Sequence, residues 1–264
     1  MAKRPVGFGY NRYFRDVLRL SHAEAQRLDR ESIYHDDLLS LEWLAMLLRS
    51  TEQVSQDASC VDIVDPNLLA QLSQSQKSVV LAPVHTGFFA LAFARIMRDY
   101  FPGRRMLILR ASDDSEIETR VIKRICEIGV DIRFLNIAHK NNYIDAARYG
   151  REGAIIVFFI DLPGTFGGAY DTELFGAPAQ LALGVVSFAR MIEATVAPLA
   201  IHSSLDGDTL SLGQPFECVD VGEREKARVC AILRRHIERS VLAAPDQWIM
   251  WSRFSEYVPP GAAA

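Results

Sequence analysis

The sequence is poor in the patterns that mark metal, disulfide and nucleic-acid sites. Its four cysteines, at positions 60, 126, 218 and 230, form no CxxC pair, and none of its six histidines belongs to an HExxH motif. We therefore expect structural thiols in a reducing, cytoplasmic compartment and no bound metal. The chain has 29 Lys and Arg residues against 33 Asp and Glu residues, and this balance argues against nucleic acid as a partner.

Long apolar runs are also missing. The most apolar early stretch, Leu38–Leu48, is interrupted by Ser40 and Glu42, and it is far shorter than the ~20 residues that cross a bilayer. The N-terminus does not resemble a signal peptide, because Pro5 and nearby glycines follow its first basic residues. We expect a soluble protein that at most lies on a membrane. No GxSxG motif is present, which disfavours a serine hydrolase of the α/β type.

What the chain does contain is an ordinary globular composition. Its 264 residues are 49% hydrophobic and 23% charged, enough for one large α/β domain or two small ones. Residues 1–20 hold five basic side chains and one acid, with four aromatic residues between them. Such a segment either lies on an anionic membrane, docks an acidic carrier protein, or is a solvated first helix whose aromatic residues pack on the domain.

Residues 1–60 predict a helical segment. Ser21 and Glu24 form a capping-box pattern, which predicts a helix that runs to about Arg30. A second helix is predicted from Asp36 or Asp37, because leucines recur on one of its faces. Residues 50–60 are polar and predict a connection.

Residues 61–258 predict an α/β domain. After a short helix at 67–74, apolar β-branched runs alternate with helical patterns. The predicted strands are 78–84, 106–109, 130–135, 154–160, 195–201 and 209–212, and the main predicted helices are 87–100, 115–128, 141–149, 180–192 and 223–242. Strands that alternate with helices of this length indicate βαβ units. The expected fold class is therefore α/β, with a mostly parallel central sheet flanked by helices and an N-terminal helical segment.

The stretch Val79–Phe89 organises the chain. A buried strand is predicted to end here, with His85 and Thr86 directly after it and a helix beginning near Phe88. In open α/β sheets, ligands collect at the carboxyl ends of the strands. His85 is therefore either a base at a ligand site or a residue that only caps the helix or fills a polar gap.

A second polar strand end is Ile160–Gly168, in which Asp161 follows the most apolar run of the sequence. Asp161 would point into the same crevice as His85 if strands 78–84 and 154–160 are near neighbours. The glycines that follow would let the backbone approach a ligand and direct its amides to an oxyanion. The alternative is a turn in which the aspartate only caps the backbone.

Arg110 ends its predicted strand on the same edge. It could hold a phosphate or a carboxylate through two parallel hydrogen bonds. It could equally be a surface arginine that pairs with Asp113 or Asp114.

Taken in order, several motifs resemble the late acyltransferases of lipid A biosynthesis, a family within the lysophospholipid and glycerol-phosphate acyltransferase superfamily. The similarity covers residues 60–256. It rests on His85–Phe89, Arg110 near Asp113, Phe159–Asp161 with Pro163–Gly164, Leu174–Ala179, Leu181–Arg190, Val196–Pro198 and Ala244–Phe254. No single motif is decisive, but the ending APDQW-MW-RF is unusual in unrelated folds.

The resemblance implies transfer of an acyl group from an acyl carrier protein or coenzyme A thioester to a hydroxyl or an amine. It implies no cofactor besides this donor substrate. In the family, a histidine acts as general base and an acid five positions later orients it. His85 matches the base, and Ala90 stands where the acid belongs. Either Asp161 replaces that acid from the neighbouring strand, or turnover has been lost and only binding remains.

We therefore expect His85 and Asp161 to be catalytic. The residues expected to contact substrate are Thr86, Arg110, Gly164, Thr165 and Arg253. The resemblance also implies an N-terminal membrane anchor, which we do not find in the sequence. A location in the cytoplasm follows, with peripheral contact at the inner membrane through residues 1–20. Two rival functions stay open: a non-catalytic partner that binds acyl groups or carrier proteins, and a thioester hydrolase.

Overall fold

The N-terminal part of the chain forms three helices. The computed structural model describes residues 7–75, 77–112 and 115–259, and its first helices are α1 (Asn11–Asp16), α2 (His22–Met46) and α3 (Thr51–Cys60). The predicted break between residues 30 and 36 is wrong, because α2 is continuous over 25 residues. The predicted connection at 50–60 is also wrong, since α3 occupies it and Ser50 and Gln53 form its capping box.

The rest of the described chain alternates strands and helices. Its strands are β1 (Asp62–Ile63), β2 (Val79–Pro83), β3 (Arg105–Arg110), β4 (Asp131–Asn136), β5 (Ile155–Val157), β6 (Ala169–Leu174), β7 (Ala177–Ala182), β8 (Thr195–Ser204), β9 (Gly207–Leu212) and β10 (Phe216–Glu217). Its α-helices are α4 (Pro66–Gln74), α5 (Phe89–Asp99), α6 (Glu116–Cys126), α7 (Lys140–Arg151), α8 (Gly184–Met191) and α9 (Glu223–Ala243). Short 3₁₀-helices cover Gly164–Phe166, Pro245–Gln247 and Ile249–Tyr257.

The predicted α/β fold class is confirmed. Within the described chain, the central sheet has the strand order β1-β9-β8-β2-β5-β3-β4, with β10 beside β8. The pairings of β2, β3, β4 and β5 with one another and of β2 with β8 are parallel, whereas β9 and β10 run antiparallel to β8. The chain passes from β2 to β3 and later returns to place β5 between them. This reversal puts the carboxyl ends of β2 and β5 side by side, which is the condition under which Asp161 is expected to point into the same crevice as His85.

Helices cover both faces of the sheet. The buried side chains of α3, α4, α5 and α6 pack on one face, and those of α1, α7, α8 and α9 pack on the other. Helix α2 joins the two layers, because Ala25 and Leu28 belong to one core and Met46 to the other. The N-terminal helices thus share the hydrophobic core of the α/β part, and the division into residues 1–60 and 61–258 stays a prediction.

The predicted helix 180–192 begins too early. Residues up to Ala182 belong to the hairpin of β6 and β7, and α8 begins only at Gly184. The two-residue turn of this hairpin, Phe175 and Gly176, has positive φ at both positions, which is typical of a type I′ turn. The Phe175 amide also donates a 2.9 Å hydrogen bond to Glu238 on α9, which ties the turn to the domain.

No helix among the described residues is both long and apolar enough to cross a membrane. The basic residues Lys3 and Arg4 of the predicted surface segment lie outside the described residues. Within the described part of that segment, Phe14 is fully buried and packs edge-on against Trp251. This aromatic residue therefore belongs to the core and does not face a membrane or a partner.

His236 on α9 makes folding stability depend on pH. It is 5% exposed, and its Nε2 has no hydrogen-bond partner within the described part of the chain. Burial lowers its pKa to about 4, and the nearby positive charge of Arg239 acts in the same direction. In the unfolded chain, His236 has an ordinary pKa near 6.5, which is higher than its pKa in the folded chain. As the pH falls from about 6.5 towards 4, the unfolded chain therefore binds a proton that the folded chain does not, and stability is lost.

We expect this histidine to account for about 3 kcal/mol of the free energy of unfolding that is lost between pH 7 and pH 4. Urea denaturation of a His236→Leu variant should show a flatter pH dependence than the native protein across this window. His22→Gln, which changes an exposed histidine, is the matched control and should keep the native slope. An unchanged slope in His236→Leu would contradict the assignment.

Candidate active site

His85 lies in the turn between β2 and α5. The next residues carry the chain round, and Gly87 does so with a φ of +60°. A Cβ atom at Gly87 would overlap the carbonyl oxygen of Ile201, so this position requires glycine for both conformation and space. Helix α5 begins at Phe89 without a side-chain cap. His85 therefore does not cap the helix, and its side chain points elsewhere.

The His85 side chain is bound to Asp161. Its Nδ1 lies 2.6 Å from Oδ1 of Asp161, and its backbone N–H donates a 2.7 Å hydrogen bond to Oδ2 of the same carboxylate. The two residues meet because pairing with β2 continues beyond β5: the amides of Phe158 and Ile160 donate to the carbonyls of Leu81 and Pro83. The structure thus brings together the two residues that the sequence predicts to be catalytic.

The Asp161 carboxylate is completely buried and fully engaged. The indole N–H of Trp248 donates a 2.7 Å hydrogen bond to Oδ2, and the Tyr257 hydroxyl donates to the Asp161 carbonyl oxygen. Burial alone would raise the pKa of Asp161, but the charge interaction with His85 and the hydrogen bonds from His85 and Trp248 outweigh it. The net effect is a lowered pKa, so this carboxylate is ionised at neutral pH.

The other ring nitrogen of His85 is accessible. The His85 side chain is 21% exposed, and its Nε2 has no hydrogen-bond partner within the described chain and is not sealed in the interior. The imidazole stacks on Phe159 with ring centroids 4.0 Å apart and an angle of 23° between the planes. Because Nδ1 faces a carboxylate, the neutral ring carries its proton on Nδ1 and presents the lone pair of Nε2. Asp161 and Phe159 together hold this ring in one orientation.

Nε2 faces a cavity of about 710 Å³ at the carboxyl edge of the sheet. Helix α2, the ends of β3 and β5, and the C-terminal 3₁₀-helices form its walls. Its lining includes the aromatic side chains of Phe8, Tyr10, Trp43, Phe89, Phe134, Phe159, Phe166 and Trp248. This size and this lining are those of a small-molecule site with an apolar body and few polar groups.

Two of the predicted substrate residues, Arg110 and Arg253, line the same cavity. Arg110 lies over the Phe134 ring and pairs with Glu118 at 3.1 Å, whereas its predicted alternative partners, Asp113 and Asp114, lie outside the described residues. Arg253 lies over the Phe166 ring, and Glu256 binds it through both carboxylate oxygens. Each guanidinium is thus oriented by an acid and an aromatic ring before any ligand binds.

The other three predicted substrate residues do not line the cavity. The Thr86 hydroxyl is buried and has no hydrogen-bond partner in the described part of the chain. Gly164 is buried under the hairpin, where a Cβ would lie 2.8 Å from that of Ala169, so packing explains this glycine. Thr165 is exposed and its hydroxyl donates to Glu256 at 3.3 Å. A loop that cradles an oxyanion remains a prediction at these positions.

Sequence reasoning missed several residues of the site. Trp248 belongs to the motif that carries the family resemblance, yet nothing in its neighbourhood in the chain indicates that it binds Asp161. Gln247, buried beside it, exchanges two hydrogen bonds with the Ser203 backbone, at 2.9 and 2.7 Å. The Ser203 hydroxyl in turn accepts from the Phe88 amide at 2.9 Å. This chain of bonds connects the C-terminal 3₁₀-helices to the turn that carries His85.

Among the described residues, no group of three or more His, Cys, Asp or Glu side chains is placed to hold a metal ion. The candidate catalytic groups beside the cavity are His85 and Asp161. No protein-family model matches the chain, and no curated protein matches it in sequence.

Proposed function

We propose that this protein is an acyltransferase that moves an acyl group from an acyl carrier protein or coenzyme A thioester to a hydroxyl or an amine. The observation that carries the proposal is the His85–Asp161 pair, whose open Nε2 faces a large aromatic cavity. A histidine oriented by an ionised, buried carboxylate is a competent general base, since the carboxylate sets the tautomer and stabilises the imidazolium.

The reaction uses these groups in two steps. Nε2 of His85 takes a proton from the hydroxyl or neutral amine of the acceptor. At the same time, the oxygen or nitrogen of the acceptor attacks the thioester carbonyl, and a tetrahedral oxyanion forms. The oxyanion then collapses, the carbon–sulfur bond breaks, and the imidazolium returns its proton to the departing thiolate. Asp161 stays ionised and stabilises the imidazolium that exists between the two steps.

The departure from the family motif supports this proposal rather than weakening it. Ala90, at the position of the usual acid, is 1% exposed and belongs to the apolar core around α5. Asp161 reaches His85 from the end of the adjacent strand instead, at 2.6 Å. Loss of turnover would remove the reason to keep an ionised carboxylate in this buried position, because burying a charge is costly.

The cavity suits an acyl thioester. Its volume lies within the range of about 300–1,000 Å³ that is usual for ligand sites. The aromatic lining provides an apolar surface for an acyl chain, and Arg110 and Arg253, oriented by Glu118 and Glu256, offer N–H donors to the phosphate of a coenzyme A or phosphopantetheine arm. We propose that the protein acts in the cytoplasm, with peripheral contact at the inner membrane where its acceptor is a lipid.

The test is to incubate the native protein with dodecanoyl and hexadecanoyl thioesters of coenzyme A and of acyl carrier protein, with a panel of hydroxyl and amine acceptors. Mass spectrometry of the products and release of free thiol are measured, with His85→Ala as the control for contaminating activity. We expect acylated acceptor and thiol from the native protein only. Thiol release without an acylated product would favour the hydrolase. Binding of carrier protein without either product would overturn catalysis and leave a binding protein.

A further inference from the structure

A second histidine–aspartate pair lines the same cavity, and the reaction described above does not use it. His35 lies on α2, and its Nε2 is 2.8 Å from Oδ2 of Asp246 in the 3₁₀-helix Pro245–Gln247. The two side chains are 17% and 12% exposed, so the pair is mostly withdrawn from water but still open to the cavity.

The pair presents one nitrogen to a ligand. Nδ1 of His35 has no hydrogen-bond partner among the described residues and is not sealed from solvent. The contact with Asp246 lacks the alignment of a hydrogen bond, but the nearby carboxylate favours the ring proton on Nε2, and Nδ1 then carries a lone pair that can accept a hydrogen bond. A ligand group that fits this nitrogen is therefore a donor, such as a hydroxyl or an amine.

The groups around this pair disfavour an anionic ligand. Asp36, one residue after His35, is an exposed carboxylate that also lines the cavity, and Asp246 adds a second negative charge. The hydroxyl groups of Ser32, Tyr10 and Ser252 also line this cavity. The cationic side chains of the cavity, Arg110 and Arg253, are each paired with a glutamate, Glu118 and Glu256. The carboxylates beside His35 therefore make this part of the cavity suited to hydroxyl or ammonium groups.

The second pair is close to the first. Asp246 is only three residues from Ile249, whose amide donates a 3.2 Å hydrogen bond to the carbonyl of His85, and two residues from Trp248, which binds Asp161. Three residues of chain span at most about 10 Å. A small substrate can therefore contact His35 while its reacting atom lies at His85.

We propose that His35, held in place by Asp246, binds the acyl acceptor, and that this acceptor is an uncharged or cationic molecule with several hydroxyl or amine groups. The inference rests on the proposed function, since it divides one cavity between the donor and the acceptor of that reaction. His35 is then a residue that determines acceptor specificity, and His85 alone takes the proton.

The experiment measures acceptor kinetics with dodecanoyl-CoA as donor. The acceptor probes are octyl glucoside below its micelle-forming concentration, octylamine and glycerol 3-phosphate. The variants are His35→Gln and Asp246→Asn, with His22→Gln as the matched control, since His22 lies on the same helix, exposed and outside the cavity wall. Melting temperatures are recorded for every variant, because loss of the pair could also loosen α2.

We expect the native protein to acylate octyl glucoside or octylamine in preference to glycerol 3-phosphate. His35→Gln should raise the KM of that acceptor at least ten-fold while the KM of dodecanoyl-CoA and the rate of thioester hydrolysis stay within two-fold, and His22→Gln should behave as the native protein. Equal losses for donor and acceptor with a lowered melting temperature would show a structural latch and overturn the inference. Acylation of glycerol 3-phosphate alone, or of no probe despite thioester hydrolysis, would also overturn it and would leave the catalytic role of His85 standing. Failure of both transfer and hydrolysis would refute the proposed function, and this inference with it.

Discussion

Replacing Asp161 by asparagine is expected to lower the rate of acyl transfer about 10³- to 10⁴-fold. The asparagine amide cannot stabilise an imidazolium, and its NH₂ group can donate to Nδ1 of His85, which would move the ring proton to Nε2. The nitrogen that faces the cavity would then be a donor and could no longer take a proton from the acceptor. kcat with a saturating thioester donor is the measurement.

Three comparisons make this result specific. His85→Ala should lose at least as much activity, and the double variant should be no worse than His85→Ala, because the two residues act as one unit. Asp131→Asn is the matched control: Asp131 begins β4 at the opposite edge of the sheet, where it pairs with Arg105 and Arg133. Circular dichroism and urea denaturation would establish that Asp161→Asn still folds. A fold-intact Asp161→Asn protein with more than a tenth of the native rate would refute the role of Asp161.

The local pattern of the chain was sufficient to predict that His85 and Asp161 each follow a buried strand and lie at the same edge of the sheet. Apolar, β-branched runs mark β2 and β5, and a polar residue after each run must emerge at the same edge of a parallel sheet. The register confirms this, since Val79–Leu81 pair directly with Ile155–Val157. What the pattern could not predict is the direction in which each side chain turns after its strand. Thr86 is buried although it directly follows His85, whose side chain is partly exposed.

The helices and the strand that the sequence analysis predicted wrongly can also be explained in physical terms. In residues 177–192, the strand β7 ends in the buried residues Leu181 and Ala182, and α8 begins only two positions later. An apolar run of this kind does not distinguish the end of a strand from the start of a helix. Helix α3 buries only Val54 and Ala58, so most of its residues are polar and the sequence predicts a connecting loop there. Helix α2 lacks the glycine or proline that would end it between residues 30 and 36. It continues because its two halves pack on different layers of the domain.

The residues that complete the site come from distant parts of the chain. Trp248 binds Asp161 across 87 positions of sequence, and His35 meets Asp246 across more than two hundred. Nothing in the local sequence links these partners. A fully buried carboxylate needs hydrogen-bond donors, and only the assembled structure shows which side chains provide them.

Placing the acid back at position 90 is expected to destabilise the protein without restoring activity. Ala90 is buried in the apolar layer around α5, beside side chains such as Phe93 and Leu91. A glutamate there would have to bind a proton at pH 7 in order to stay buried, which costs about 4 kcal/mol from its ordinary pKa. The fully buried Asp161 avoids this cost because three donors surround its carboxylate.

The measurement combines stability and rescue. Urea denaturation should show that Ala90→Glu loses about 4 kcal/mol at pH 7 and less at pH 5, whereas Ala90→Gln, of nearly the same size but uncharged, should show no such dependence on pH. Because this side chain points into the core, Asp161→Asn combined with Ala90→Asp should be no more active than Asp161→Asn alone. A ten-fold recovery in the combined variant would mean that an acid on α5 can reach His85. The usual arrangement of the family would then still be available to this fold, and the buried position of Ala90 would not explain why the acid lies after β5.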